Sequence, residues 1–426
     1  MEITLDAFYT LVIAVAVLML GRVLVNKINF LQRYSIPEAV AGGLVASLIG
    51  SLMFAFGNFT INYDADLRTA LMLMFFTSVG LSANFNRLKE GGVGLAIFLV
   101  AISLFIVLQN SVGVGLAAMM GLDPLMGLVA GSITLTGGHG TAGSWGATFE
   151  NTYGLQHATL VGMASATFGL VLGGIIGGPL ANFIIKRHGL AAPKTQEQQE
   201  KQEEKNTNTS DEEPTSSTEF VAFQNPKQVR LITTENAITV LGLFAICLAF
   251  GDYMTGVFKG SESFLAKLPT FVWCLMAGVV VRSVIENVFK VKVFDRAIDV
   301  FGNVSLSLYL AMSLVALKLW QLLDLAVPLL IILVVQTLIM LLYAYFVTFR
   351  LMGKDYDAAV LAAGHCGFGL GATPTAVANM QSVTSRFGSS HKAFLIVPLC
   401  GAFLVDLVNL AVITGAIDLI KKFFGA

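Results

Sequence analysis

Long uncharged stretches dominate the pattern of this chain. Residues 91–122, 158–185 and 325–349 contain no Asp, Glu, Lys or Arg, and each exceeds the roughly 20 residues that cross the hydrocarbon core of a bilayer as a helix. Weaker apolar runs occur between short polar breaks at 7–25, 36–57, 69–85, 235–258, 268–289, 298–320 and 393–420. The pattern predicts an all-α polytopic membrane protein with about ten spanning helices.

Composition and charge narrow the class further. The chain is 55% hydrophobic and 12% charged, with a mean hydropathy of +0.76, whereas soluble domains are roughly 25% charged. These values exclude a water-soluble fold. The net charge of −1 argues against a nucleic-acid partner, which would require a basic surface.

The composition changes abruptly between the two apolar parts. Residues 188–229 are rich in Gln, Glu, Lys, Ser and Thr and contain few large apolar side chains, which is typical of a disordered tether. We therefore predict an N-terminal membrane repeat at 1–187, a disordered cytoplasmic linker at 188–229 and a C-terminal membrane repeat at 230–426.

Basic residues near the ends of spans predict the orientation, because they resist translocation. One side of the predicted topology carries Arg22, Lys27, Arg33, Arg87, Lys89, Lys186, Arg187, Lys290, Lys292, Arg296, Arg350 and Lys354. The other side carries Arg68, Lys259, Lys267, Lys318, Lys421 and Lys422. The richer side is predicted to be cytoplasmic, so that both termini lie outside and the linker lies inside.

The two halves are related in sequence. Met120-Gly-Leu-Asp123 matches Met352-Gly-Lys-Asp355, and Tyr153-Gly-Leu-Gln-His157 matches Phe387-Gly-Ser-Ser-His391, at offsets of 232 (355 − 123) and 234 (391 − 157). With about five spans per half, an odd number, the second half enters the membrane from the opposite face. The matches therefore predict two inverted-topology repeats, an arrangement that recurs in secondary transporters.

Corresponding positions of the two halves hold a glycine-rich apolar segment, at 127–149 and 358–380. Glycines weaken a helix interior, and Pro374 removes a backbone donor, so neither segment is expected to remain one continuous helix. We predict a re-entrant hairpin in each half. Irregular backbone at membrane depth persists where it lines a protein-covered or wet cavity, which favours transport of a small anionic solute.

The predicted hairpins contain groups suited to an anion and to a hard cation. Helix N-termini favour a carboxylate, and loop carbonyl oxygens suit Na⁺. Hydroxyl and amide groups are added by Thr141, Ser144, Thr373, Thr375 and Asn379. The alternative is that the small residues only permit close helix packing, which is what we expect at Gly169, Gly173 and Gly177.

Polar residues inside the spans are further candidates, because such groups are costly in a membrane. Asp406 shares a helix face with Asn409 and is predicted to contact a substrate ammonium group or Na⁺, or else to be a structurally hydrogen-bonded carboxyl group. His139 and His365 either shuttle protons or hydrogen-bond loop carbonyls. Interhelical hydrogen bonding is the favoured interpretation of Gln109, Asn110 and Gln336.

Other function classes find little support in the motifs. The chain has no GxSxG, HExxH or P-loop motif, which argues against an intramembrane enzyme and against ATP-driven pumping. We predict no enzymatic activity and no cofactor apart from Na⁺ as a coupling ion. A channel and a receptor or scaffold remain alternatives. The cysteines, which show no metal-ligand spacing, are predicted to be buried apolar residues: Cys247, Cys274, Cys366 and Cys400.

Several strings resemble the bacterial sodium/glutamate symporter family: Ile36-Pro-Glu, Gly121-Leu-Asp-Pro-Leu-Met-Gly, Ser132-Ile-Thr-Leu-Thr-Gly-Gly-His-Gly-Thr, Gly302-Asn-Val-Ser-Leu-Ser-Leu and Ala363-Gly-His-Cys-Gly-Phe-Gly-Leu-Gly-Ala-Thr-Pro-Thr-Ala. The resemblance implies Na⁺-driven import of L-glutamate by alternating access, in the bacterial inner membrane with periplasmic termini. It also implies kinship with 2-hydroxycarboxylate carriers, and hence an elevator mechanism and a homodimer within the lipid. Transport of another small carboxylate, such as a 2-hydroxycarboxylate, is the alternative.

The family carries a GGxG-type signature in each re-entrant loop. Gly137-Gly138-His139-Gly140 matches this signature, and the string from Cys366 to Gly371 is a looser form of it. The predicted substrate-binding residues are Thr136, Gly137, Gly138, His139, Gly140, Thr141, Gly369, Gly371, Ala372, Thr373, Thr375, Asn379 and Asp406. The predicted Na⁺ ligands are Ser132, Thr134, Gly367 and Asn409.

Overall fold

The apolar runs form a bundle of helices in a computed structural model, which describes residues 2–33, 36–83, 85–192, 232–259, 265, 268–291 and 293–424. Residues 193–231, which include most of the tether predicted at 188–229, lie outside the described residues, as do Lys267 and Lys292. The disorder predicted for the tether therefore stays a prediction.

The helices follow the apolar runs closely. In chain order they are α1 (Ala7–Lys27), α2 (Asn29–Arg33), α3 (Glu38–Gly57), α4 (Ala65–Leu81), α5 (Phe85–Met119), α6 (Pro124–Leu128), α7 (Gly138–Tyr153), α8 (Ala158–His188), α9 (Thr234–Phe258), α10 (Thr270–Asn287), α11 (Asp295–Val315), α12 (Ala326–Tyr343), α13 (Phe349–Leu351), α14 (Tyr356–Gly369), α15 (Thr373–Phe387), α16 (His391–Leu399) and α17 (Val405–Phe424). A 3₁₀ segment spans Leu319–Leu325, and π turns span Val129–Ile133, Ala344–Thr348 and Cys400–Leu404.

Among the described residues, eight helical stretches are long and apolar enough to cross a membrane: Ala7–Lys27, Glu38–Gly57, Gly91–Met119, Ala158–His188, Thr234–Phe258, Thr270–Asn287, Asp295–Val315 and Ala326–Leu351. The two other predicted runs are also helical. Helix α4 has 17 residues, and the C-terminal run divides into α16 and α17 around a π turn. The polytopic all-helical prediction is thus confirmed at this level.

The structure adds one short pair of strands to the predicted helices. Strand β1 (Glu2–Thr4) pairs in parallel with β2 (Thr60–Asn62). The Asn62 side-chain amide donates to Glu2 Oε1 at 2.6 Å, which fastens the N-terminus to the connection between α3 and α4. Both strands have only three residues, too few for a period-2 pattern to be recognised in the sequence.

The helices pack in two groups, each drawn from both halves of the chain. The framework group contains α1, α3, α4, α9, α10 and α11; here α4 packs on α10 and α11, and α3 packs on α11. The broken-segment group contains α5–α8 and α12–α17, with α14 and α15 against α8. Each helix packs chiefly within its own group, so few contacts connect the two groups.

The related strings of the two halves place glycines with positive φ at matching positions. Gly121 and Gly353 both have positive φ, at 72° and 117°, two residues before an aspartate that caps the next helix. Gly154 and Gly388 end α7 and α15, again with positive φ. Because glycine enters this conformation without a Cβ clash, the matched glycines mark equivalent turns in the two halves.

Candidate functional site

The first glycine-rich segment is broken. Helix α6 passes into a π turn in which Gly131 has φ −102° and ψ −133°, outside the helical region. Helix α7 then begins at Gly138, whose φ is +69°. The predicted interruption of the helix is confirmed, and the amide groups of the first turn of α7 are left without intrahelical acceptors.

The second glycine-rich segment is broken in the same way. Helix α14 ends at Gly369, and α15 begins at Thr373 with Pro374 in its first turn, where the missing amide hydrogen costs nothing. The glycine face of α8 lies directly on this segment, because a Cβ at Gly169 would overlap the carbonyl oxygen of Leu370. The close packing predicted for the α8 glycines is therefore confirmed.

The two breaks meet at one glutamine of α5. Gln109 Nε2 donates to the carbonyl oxygen of Gly369 at 3.1 Å, while Gln109 Oε1 accepts from the Thr136 hydroxyl at 2.8 Å. Thr136 also lies 3.3 Å from the Gly369 oxygen. Gln109 thus connects the break of one half to the break of the other, inside a region from which water is excluded.

Two neighbouring amides complete this connection. Gln336 Nε2 donates to the main-chain oxygen of Gln109 at 2.7 Å, and Asn110 Oδ1 accepts from the Ser132 amide at 3.0 Å. The interhelical hydrogen bonding predicted for these polar residues is confirmed. Such bonds satisfy backbone groups that the π turn leaves unpaired.

The histidines of the breaks contact hydroxyl groups, so the loop-carbonyl bonds anticipated from sequence are wrong. His139 Nε2 lies 3.0 Å from Thr167 Oγ1, and His365 Nδ1 lies 2.8 Å from Thr348 Oγ1. In both cases the partner is on a neighbouring helical segment. His365 is fully buried and touches Phe98, Phe105, Tyr343 and Phe368 ring to ring.

Among the predicted Na⁺ ligands, Ser132 and Asn409 lie together. Asn409 Nδ2 donates to the Ser132 carbonyl oxygen at 3.0 Å. Ser132 Oγ and Asn409 Oδ1 are buried and have no hydrogen-bond partner. Thr134 instead turns its hydroxyl back toward the Gly131 oxygen, 3.5 Å away. The Gly367 carbonyl belongs to the second break, where it accepts from the Ala372 amide at 3.2 Å.

A small pocket adjoins Asn409 at the boundary between the two helix groups. It also contains Thr141, Asp406 and Trp145, and the framework group contributes Phe76, Phe271, Val272 and Leu275. Its volume of about 20 Å³ is sufficient for one ion or water molecule. An amino acid would require the walls to move apart.

The remaining predicted substrate residues lie in or beside the two breaks. Asn379 Nδ2 donates to the Gly173 oxygen at 2.8 Å, and Thr373 Oγ1 donates to the Gly401 oxygen at 3.2 Å. Thr375 is buried with an unpaired hydroxyl. The glycines and Ala372 supply backbone in and beside the turns: Gly137, Gly138, Gly140, Gly369, Gly371 and Ala372.

A much larger cavity, of about 950 Å³, lies between α7 and the framework helices α4, α10 and α11. Of the residues singled out from sequence as candidate ligands, Ser144 is the one on its wall. The charged and phenolic residues that line it were not anticipated as a site: Arg68, Glu150, Asp252, Tyr309, Lys318 and Lys421. Several of these charged residues lie near helix ends. In a membrane protein, a charge at that position is ordinarily used only to predict which side of the membrane the helix end faces. Only the packing of the two halves reveals that they face one space.

Comparison with known proteins places this architecture in a family. The family model described as sodium/glutamate symporter matches residues 3–389. The chain is 50% identical over 409 residues to the sodium/glutamate symporter of Escherichia coli (strain K12), covering 96% of each chain. It is 47% identical over 413 residues to the sodium/glutamate symporter of Haemophilus influenzae, covering 97% of each. This chain therefore belongs to the sodium/glutamate symporter family.

Proposed function

We propose that this protein imports L-glutamate together with Na⁺ across the bacterial inner membrane. The observation that carries the proposal is the pair of unsatisfied buried oxygens, Ser132 Oγ and Asn409 Oδ1, beside a pocket of ionic size. Buried polar atoms are normally paired, and hard cations take such oxygen ligands. The names of the relatives describe symporters, which favours transport over enzymatic catalysis.

The Na⁺ ion is assigned to the space between the π turn of the first break and α17. Ser132 and Asn409 supply two oxygens, and Asp406 on the wall of the same pocket supplies the negative charge that offsets the ion. Because α17 belongs to the C-terminal half and the π turn to the N-terminal half, a bound ion would join the two repeats. An ion that contacts both repeats can couple its own binding to the geometry of the substrate site.

L-glutamate is assigned to the adjoining boundary between the helix groups. Thr141 lies in the first turn of α7, where the helix N-terminus favours a carboxylate, and it lines the small pocket together with Asp406. The pocket must widen to admit the substrate. The widening requires movement at Phe76 and Phe271, both of which belong to the framework group.

We propose an elevator-type movement of the broken-segment group against the framework group. Two observations support this movement. Few contacts connect the two groups, and the small pocket is lined by residues of both groups. In this scheme the repeats are inverted, the hairpins are re-entrant, the termini are periplasmic and the large cavity opens outward. A homodimer, held in the lipid through the framework group, completes the proposal.

Uptake into proteoliposomes tests the function directly. The purified protein should accumulate labelled L-glutamate when an inward Na⁺ gradient is imposed, and a K⁺ gradient should not replace it. Aspartate, citrate and malate serve as competing substrates. Uptake that ignores the Na⁺ gradient, or that prefers citrate or malate, would contradict the proposal.

A further inference from the structure

An arginine of α4, Arg68, lines the large cavity. Arg68 lies in the first turn of α4 and lines the cavity, but it forms no ion pair with any residue in the described part of the chain. Asp64, one turn earlier, uses its carboxylate to cap the Leu67 amide at 2.7 Å. A cation at a helix N-terminus is opposed by the helix dipole, so helix stability does not explain this arginine.

Hydroxyl groups surround the space in front of Arg68. Tyr309 of α11 is almost fully buried and lines the same cavity as Arg68, Ser144 and Ser313. Gly143 makes room for it, since a Cβ there would overlap the phenolic oxygen. A guanidinium group beside several hydroxyl donors matches the hydrogen-bonding needs of a carboxylate.

The acidic residues of the cavity do not balance its cations. Arg68, Lys318 and Lys421 line the cavity against Glu150 and Asp252, so that one formal positive charge is in excess. Both oxygens of Glu150 accept hydrogen bonds from Thr159, from its amide and its hydroxyl, each at 2.9 Å. A partly enclosed cavity with an excess of one sign of charge concentrates solutes of the opposite sign.

An aromatic wall separates this cavity from the small pocket. Phe271 lines both spaces, with its ring centroid 4.5 Å from that of Phe76 and 6.0 Å from that of Trp145. A solute beside Arg68 is therefore not yet in contact with Asp406 or Asn409. The two spaces act as separate binding regions in this conformation.

We infer that the large cavity is an outer capture site for an acidic amino acid, in which Arg68 and Tyr309 hold a carboxylate before the solute passes Phe271. The inference rests on the proposed function for the identity of the solute. The capture site is a second binding site for the solute, in addition to the small pocket with Thr141 and Asp406. Its affinity comes from fixed protein charges, so it binds the solute without Na⁺.

Equilibrium binding of labelled L-glutamate to the purified full-length protein tests the outer site, with Na⁺ replaced by choline. The wild type should show a Na⁺-independent component that glutarate displaces and glutamine displaces poorly. Arg68→Gln should weaken this component at least roughly tenfold, the scale of one lost charge-assisted hydrogen bond, and Arg68→Lys should weaken it less. Lys422→Gln is the matched control, because it removes a cation from the same end of α17 at a residue that does not line the cavity.

Two results would overturn the outer site: no binding by the wild type without Na⁺, or equal binding by the wild type and Arg68→Gln. Size-exclusion profiles of the variants establish that they are folded. Na⁺-driven uptake by the same proteins separates this inference from the proposed function. Arg68→Gln should raise KM while the maximal rate stays within about twofold. Arg68-dependent binding without any Na⁺-driven uptake in the wild type would refute the proposed function alone.

Discussion

The side-chain amide of Asn409 donates a hydrogen bond to the main-chain oxygen of Ser132, 3.0 Å away. This contact joins α17 of the second half to the π turn of the first. It leaves Asn409 Oδ1 and Ser132 Oγ buried and unpaired, which is the most direct structural support for a cation site.

Ser132→Ala removes one of these oxygens with little change in volume. We expect the Na⁺ concentration that gives half-maximal glutamate uptake to rise roughly tenfold, equivalent to about 1.4 kcal/mol. Ser165→Ala is the matched control, because Ser165 Oγ is also buried and unpaired but lies on α8, whereas Ser132 is hydrogen-bonded to Asn409 of the small pocket. Equal Na⁺ dependence in the two variants would remove Ser132 from the ion site.

Asp406→Asn keeps the shape of the side chain and removes its charge. If the carboxylate offsets the charge of Na⁺ in the small pocket, the variant should require a higher Na⁺ concentration, and its uptake at limiting Na⁺ should fall at least roughly tenfold. Asp418→Asn, on the same helix but away from the pocket lining, should behave as the wild type. A Na⁺ profile unchanged by Asp406→Asn would show that the carboxyl group is structural.

The sequence predicted the spans and the broken segments well, because each depends on local composition. Charge-free runs identify helices, and the glycines with Pro374 identify the interruptions. The strings that contain Gly121 and Gly353 were matched through the repeat, and the structure shows that both glycines have positive φ. Predicting these features does not require knowing which residues pack against them.

The partners of individual side chains could not be predicted in the same way. Asn379 is predicted to bind substrate, and in the structure its side-chain amide donates to the Gly173 and Ala363 oxygens, because the packing of α15 against α8 and α14 brings those acceptors near. Arg68 and Tyr309 are separated by most of the chain, and they share a cavity because α4 and α11 pack together. Contacts between the halves, not local pattern, determine which polar residues remain free for a ligand.

Gln109→Leu should destabilise the protein by disconnecting the two breaks. The substitution leaves the Gly369 oxygen and the Thr136 hydroxyl with poorer partners, and each unsatisfied buried group costs roughly 1–3 kcal/mol. The midpoint of thermal unfolding in detergent should fall by several degrees or more. Ser111→Ala, two residues along α5 on an exposed face, should leave the midpoint unchanged. A Gln109→Leu protein as stable as the wild type would show that the breaks are held by packing alone.

Gly143→Ala should impair transport because the added methyl group would overlap the Tyr309 hydroxyl. This contact lies between α7 of the broken-segment group and α11 of the framework group, so the overlap would push the groups apart or displace the phenolic ring. We expect uptake at subsaturating glutamate to fall at least roughly tenfold, as overpacking of a tight contact costs roughly 1–3 kcal/mol.

The double variant Gly143→Ala/Tyr309→Phe tests whether this contact is the cause. Removing the hydroxyl relieves the closest overlap, although the ring carbon behind it stays 2.8 Å from the added methyl group; uptake should therefore recover in part relative to Gly143→Ala. A second substitution that reduces the effect of the first in this way is expected only when the two residues are in contact. Gly242→Ala, where a Cβ meets nothing within 4 Å, controls for replacing a helix glycine. If the effects of Gly143→Ala and Tyr309→Phe simply add, the added methyl group does not act through the Tyr309 hydroxyl. The contact between Gly143 and Tyr309 then does not limit transport.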